Sequence, residues 1–245
     1  MASYLQVGEQ KITEENLLNL LAGKQMLIPL AKELILDSAL ADIQCTEAEK
    51  TSARQQFAMQ MGVNLEDSQQ LETWLSRNYL KASQLQERIE RVVKIEKFKQ
   101  ETWENQLESY FLKRKRQLDK IMYSLIRTKN AGTAQELYFR INDDGKDFAQ
   151  IAREFSEGAE ANTGGLIGPV ELNVPHPQIA QALATAQPGK VLPPMRVGEW
   201  VVILRLEKYL SAQLDQNMKR RLLDELFEQW LQEKLQREIN FHRED

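Results

Sequence analysis

Several residue types on which protein chemistry often depends are scarce in this sequence. It has a single cysteine, Cys45, and two histidines, His176 and His242. One cysteine cannot form an internal disulfide, and the apolar segment around Cys45 predicts a buried thiol within a helix rather than a nucleophile. The sequence contains no HExxH, CxxC or glycine-rich phosphate motif, and the two histidines are far apart. We therefore expect no metal and no other cofactor.

The charge balance and the apolar runs exclude further classes. The net charge of −4 does not supply the basic surface that nucleic-acid binding needs. No apolar run reaches the roughly 18 residues that cross a bilayer, so no membrane span is expected. Residues 1–13 lack a basic stretch followed by an apolar one, so no signal peptide is visible and we expect a cytoplasmic protein.

The first of three zones, residues 13–119, has apolar residues at helical spacing. Thr46 and Glu49 have the spacing of a capping box, and Ser83 and Gln86 repeat it before another apolar stripe. Thr13 is placed to cap an earlier helix. These amphipathic helices each need a partner that covers the apolar face.

The second zone, about residues 120–210, contains eight of the eleven glycines and six of the seven prolines. A short β-prone run at 121–126 is followed by helical patterns at 134–141 and 148–155. Residues 200–206 form a nearly continuous apolar run, typical of a strand buried on both faces. The order β-α-α-β-α-β-β predicts a small mixed sheet with helices packed on it, which makes the fold class α+β.

The last zone, about residues 213–240, returns to helical spacing. Its apolar stripe includes Leu226 and Trp230. A long helix with such a stripe exposed is not stable alone in water, so we expect it to pack on the N-terminal helices. Self-association into a homo-oligomer is the competing interpretation.

The middle zone resembles the parvulin-type (PpiC, rotamase) peptidyl-prolyl isomerases. Five stretches in family order carry the resemblance: 148–156 (FAQIAREFS), 164–168 (GGLIG), 188–191 (PGKV), 194–197 (PMRV) and 202–207 (VILRLE). The layout resembles the SurA and PrsA group, in which an all-helical frame holds an inserted parvulin domain. The resemblance implies a helical chaperone-like domain at 1–117, a parvulin-like domain at 118–209, and a C-terminal helix at 210–245 that packs on the N-terminal helices.

Residue by residue, the polar groups of active parvulins are missing. The two family histidines fall on Ser124 and Val202, and the Asp or Cys beside them falls on Gly158. Neither His176 nor His242 maps onto the histidine pair. Losing such groups together removes most acceleration, because binding without a preference for the twisted amide does not speed rotation. We therefore expect weak or absent isomerase activity.

The resemblance places the family's apolar pocket positions on Pro175 and Ile179. With Ile167, Val197 and Val202, which could line an apolar groove, they are the candidate peptide-binding residues. The resulting hypothesis is a SurA/PrsA-like chaperone that binds unfolded or precursor polypeptides and delivers them to a secretion system. The alternatives are an active prolyl isomerase and a helical oligomeric assembly or adaptor protein.

Overall fold

The structure, a computed structural model, describes residues 5–239. His242 lies outside the described residues. The helices and strands, numbered in chain order, are β1 (Leu5–Val7), β2 (Gln10–Ile12), α1 (Glu14–Gly23), α2 (Leu27–Ala39), α3 (Glu47–Met61), α4 (Ser68–Arg77), α5 (Ala82–Trp103), α6 (Leu107–Leu118), β3 (Lys120–Thr128), α7 (Ala131–Asn142), α8 (Phe148–Phe155), β4 (Leu166–Glu171), α9 (Pro177–Ala184), β5 (Val191–Val197), β6 (Trp200–Leu210) and α10 (Gln216–Glu238). The α+β class and the order β-α-α-β-α-β-β of the middle zone are confirmed.

The chain divides into two compact units. The described residues up to Leu107 form the helical unit together with those from Lys219 onward, and Glu108–Met218 form the sheet unit. The sheet unit thus takes in nearly all of α6, which the sequence boundaries at 117 and 118 leave with the helices. No helix within residues 5–239 is both long enough and apolar enough to span a membrane.

Local capping explains where two helices of the helical unit begin. The Thr46 hydroxyl accepts from the Glu49 N–H, and the Glu49 carboxylate accepts from the Thr46 N–H, so the predicted capping box of α3 is confirmed. The box predicted at Ser83 is wrong, because α5 begins earlier and the Gln84 side chain accepts from the Lys81 N–H. Cys45 is half-buried but lies in the loop before α3, not in a helix.

The C-terminal helix α10 packs against α5 within the helical unit. The Trp230 ring centroid lies 5.0 Å from that of Phe98 and 6.2 Å from that of Trp103. Beside these rings, the buried Lys99 ammonium donates to Asp224 at 2.6 Å. The apolar stripe of α10 is therefore covered within the chain itself.

The sheet unit is built on four strands in the order β4-β3-β6-β5. All three strand pairings are antiparallel, so the prediction of a mixed sheet is wrong. One pairing has a local reason: a tight turn joins β5 and β6, so they form an antiparallel hairpin. Both edge strands contain proline, Pro169 in β4 and Pro193 with Pro194 in β5.

The two faces of this sheet are covered by different helices. On one face, α7 and α8 pack Leu137 and Phe148 against Ile126 and Ile203. On the other, α9 packs Ile179 and Leu183 into a cluster with residues of β3, β5 and β6. Because successive side chains of a strand point to opposite faces, each residue of β3 and β6 belongs to one face only.

Two glycines shape the entry into β4. Gly165 has φ +82°, and a Cβ there would lie 2.7 Å from the Leu125 carbonyl oxygen. Gly168 has φ +112°, and its Cβ would lie 2.6 Å from the Ile121 carbonyl oxygen. Only glycine fits both the backbone conformation and the close approach to β3.

Candidate functional site

The sheet does not bring together Ser124 and Val202, the two positions on which the family histidines were predicted to fall. Val202 is 3% exposed and lies in the cluster beneath α9. Ser124 lies on the opposite face, where its hydroxyl donates to the Glu207 carboxylate and its neighbour Arg205 stacks on Phe148. A side-chain pair could therefore not form between positions 124 and 202, whatever residues stood there.

Three of the five predicted peptide-binding residues form a floor on the α9 face. Ile179, Val197 and Val202 are buried in one cluster, and the half-buried Ile167 packs against its edge. In the strand register, Ile167 aligns with Tyr123, four residues along β3 from the Val202 row, or roughly 13 Å. Because Ile179, Val197 and Val202 are buried, Ile167 is the one of these four that offers accessible apolar surface on this face.

Pro175 is placed differently from the other four. It is half-buried in the loop before α9 and is not part of the cluster. His176 is exposed, and its Nδ1 accepts from the Gln178 N–H at the start of α9. His176 therefore has a capping role. The assignment of all five residues to peptide binding stays a prediction.

Arg127 was not among the site residues predicted from the sequence. In the β3–β6 ladder it stands directly opposite Val202, and Val202 stands opposite Met195 of β5. Arg127, Val202 and Met195 therefore form one row across three strands on the α9 face. The Arg127 side chain is 33% exposed, so it reaches the surface of this face.

The Arg127 guanidinium is held from two sides. Its Cζ lies 5.2 Å from the centre of the Trp200 ring, within the range of a cation–π contact. Its Nε lies 3.1 Å from Glu160 Oε1, an ion pair whose angle is poor for a hydrogen bond. Glu160 is only 8% exposed and is fixed in turn by the Ser156 hydroxyl, which donates to it at 2.6 Å.

Gly158, where the family has an acid or a thiol, lies directly against this guanidinium. A Cβ built on Gly158 would be 2.0 Å from Arg127 Nε and 2.1 Å from Nη2. Backbone conformation is not the constraint, since φ at Gly158 is −119°. The arginine thus occupies the volume that a side chain at position 158 would need.

The polar surroundings of the row are internally matched. Lys129, whose Nζ lies 5.1 Å from the Trp200 ring, pairs with the exposed Glu199. Glu157 accepts from the Thr128 hydroxyl and the Lys129 N–H, and these hydrogen bonds lower the pKa of its carboxyl. Burial, with a smaller effect from the Glu160 charge, raises the pKa of the Tyr123 phenol on the same face. No group of three or more metal-ligating side chains occurs in the part of the chain that is described.

The helical unit has an apolar surface of its own. A cleft of about 330 Å³ between α3 and α5 is lined by apolar residues that include Phe57, Ile89, Val92 and Val93. Val92 is 63% exposed there. Glu49 and Glu96 form part of its rim.

Comparison with known proteins assigns the sheet unit. Residues 121–208 match the family model of the PPIC-type PPIASE (rotamase) domain. A curated relative, the chaperone SurA of Methylobacillus flagellatus, is 33% identical over 100 residues, which cover 37% of this chain. The match spans only 23% of that relative's length.

A solved structure shares the fold over the whole chain. The peptidylprolyl isomerase PrsA of Bacillus cereus aligns with a TM-score of 0.52 at 20% identity, covering 100% of this chain and 95% of its own. The resemblance inferred from the sequence motifs is therefore confirmed for the sheet unit. For the frame, the likeness is one of fold.

Proposed function

Because residues 121–208 form a PPIC-type PPIase domain in a SurA/PrsA-like fold, we propose that this protein is a chaperone that binds unfolded polypeptides and has little isomerase activity. The proposed polypeptide binding rests on the match of residues 121–208 to this domain family. The chaperone SurA is the relative with the highest identity reported above, although the match covers a small part of its length.

The side chains on the α9 face support the second half of the proposal. Rotation about a prolyl amide must cross about 18–20 kcal/mol, because amide resonance is lost in the twisted state. The row at Val202 offers a valine, a methionine and an arginine whose ion pair is already formed. The valine and the methionine carry no polar group that could prefer the twisted amide, and binding without such a preference does not accelerate rotation.

Two assays on the full chain test the two halves. Suppression of aggregation of an unrelated denatured enzyme should be seen at stoichiometric concentrations. In a protease-coupled assay with prolyl peptides, the rate should stay close to the uncatalysed one. Rates near those of an active parvulin would instead favour the alternative of a working prolyl isomerase.

A pair of variants tests whether the cleft of the helical unit contributes to client binding. Val92→Asp places a charge in the cleft between α3 and α5, whereas Met59→Asp places one on an 81% exposed residue of α3 outside that lining. We expect Val92→Asp to weaken aggregation suppression and Met59→Asp to leave it unchanged. Equal behaviour of the two variants would remove the cleft from the proposal. Delivery to a secretion system and the cytoplasmic location stay predictions.

A further inference from the structure

The terminal nitrogens of Arg127 are polar groups on the α9 face that remain available to a ligand. Only the Nε of this side chain is both buried and without a hydrogen bond, so Nη1 and Nη2 reach solvent. Within residues 5–239, Glu160 and the Trp200 ring hold the guanidinium, and neither terminal nitrogen donates to another residue. The guanidinium is therefore held at Nε, while Nη1 and Nη2 are accessible to solvent.

The charges around Arg127 indicate which ligand chemistry suits this end. Its charge is matched by the buried Glu160, and that of Lys129 by Glu199. No excess positive charge remains to select a carboxylate or a phosphate over a neutral group. A neutral acceptor such as an amide carbonyl oxygen fits better, and a hydrogen bond from a charged donor to it is stronger than one between neutral groups.

We propose that Arg127 is the main-chain anchor of the peptide-binding face, and that its Nη groups donate to a carbonyl oxygen of the bound polypeptide. The half-buried Met195, which shares its row, would contact a side chain beside that carbonyl. Because Arg127 would contact only a main-chain group, the anchor would accept clients of many sequences. This inference rests on the proposed function and deepens it.

The proposal also explains why binding at this place does not become catalysis. In the planar amide, resonance moves electron density onto the carbonyl oxygen and gives the C–N bond its double-bond character. A donor at that oxygen stabilises the planar form at least as much as the twisted one. An interaction that is no stronger in the transition state does not lower the barrier.

The test measures the affinity of the full chain for a blocked apolar peptide, acetyl-Ala-Ala-Leu-Pro-Phe-Ala-amide, by titration calorimetry. Arg127→Met keeps the methylene stem and removes the donors, and it should weaken binding roughly tenfold or more. Gly158→Ala keeps the arginine in the sequence but should weaken binding similarly, because the added Cβ displaces the guanidinium. Arg140→Met, on the exposed side of α7, is the matched control and should bind as the parent does.

A thioamide analogue of the same peptide, weaker as an acceptor at the leucine carbonyl, separates the anchor from a structural role. It should lose affinity for the parent chain and bind Arg127→Met as weakly as the normal peptide does. Equal binding of both peptides to the parent chain overturns the inference, as does an Arg127→Met variant with unchanged affinity. If kcat/KM for isomerisation falls further than the affinity does, Arg127 acts in catalysis and the inference is also wrong. A parent chain that binds no peptide overturns the proposed function itself.

Discussion

The Tyr209 hydroxyl near the end of β6 donates a 2.5 Å hydrogen bond to Oδ2 of Asp119, the residue that precedes β3. The other carboxylate oxygen accepts from the Ala212 N–H at 2.7 Å and from the Lys115 ammonium at 3.0 Å. The Asp119 side chain is only 6% exposed. One carboxylate therefore ties the chain entering the sheet to the chain leaving it.

Replacement of this carboxylate should be costly. Asp119→Ala leaves the Tyr209 hydroxyl and the Ala212 N–H without their acceptor, and we expect a loss of about 2–3 kcal/mol of unfolding free energy. The measurement is urea unfolding at neutral pH, followed by circular dichroism. Asp144→Asn, at an exposed position of the turn after α7, is the control and should change stability little. A loss below 0.5 kcal/mol for Asp119→Ala, roughly the level of a neutral surface change, would contradict this account.

The same contacts predict how stability depends on pH. Burial alone would raise the pKa of Asp119, but hydrogen bonds from Tyr209, Ala212 and Lys115 outweigh it and lower that pKa. This stabilisation is complete above the unfolded value of about 3.9 and is lost as pH falls through the lower folded value. Burial and the Asp119 carboxylate raise the pKa of Tyr209 to about 12, so its contribution is present below about 10 and is lost as pH rises towards 12.

Unfolding free energies measured from pH 3 to pH 11 check this. The difference between the parent and Asp119→Ala should be largest between about pH 5 and pH 9 and should shrink towards both ends. A difference that is constant with pH would show that the ionised carboxylate is not the stabilising group.

Histidines at the two positions predicted to match the family pair should not produce isomerase activity. Val202→His places an imidazole on the α9 face, but Ser124→His places one on the opposite face, in a site that is 3% exposed. The double variant should therefore show no gain in prolyl isomerisation. It should also be less stable than Val202→His alone, because an imidazole is buried and the bond from Ser124 to Glu207 is lost. An isomerisation rate that rises only in the double variant would show that the two side chains meet.

The ring cluster between α5 and α10 should carry much of the stability of the helical unit. Phe227 is buried and its ring stacks on Trp230 with centroids 5.9 Å apart. Phe227→Ala should cost about 3–5 kcal/mol, and the exposed Glu228→Ala should cost little. Thermal unfolding with the native mass measured in parallel also addresses the oligomer alternative. A change of mass without a loss of stability would show that these rings face a second copy.

The sequence predicted the fold well where local signals decide it. The strand and helix order of the sheet unit followed from periodicity and turn residues, and the α3 cap followed from a four-residue motif. The start of α5 was missed because lysine is an unusual N-cap residue. The motif at Ser83 and Gln86 resembled a capping box more closely than the pair Lys81 and Gln84 that caps the helix.

The candidate site was less accessible to sequence reasoning, for physical reasons. Which face Ser124 occupies depends on strand register, and a bulge between Met122 and Tyr123 shifts that register against β6. Arg127 looked like an ordinary charged residue in a strand, because its partner Glu160 is distant in the sequence and Trp200 more so. The one signal that could have identified it is Gly158, a glycine without positive φ, whose missing side chain makes room for something else.

The prolines on both borders of the sheet limit how an extended client can be held. A strand that adds to a sheet edge needs a continuous row of outward N–H donors, and Pro169 on one border and Pro193 with Pro194 on the other interrupt that row. Clients rich in β-prone segments are thereby denied a template at either border. Under the proposed chaperone function, these prolines would keep the protein from being drawn into an aggregate of its clients.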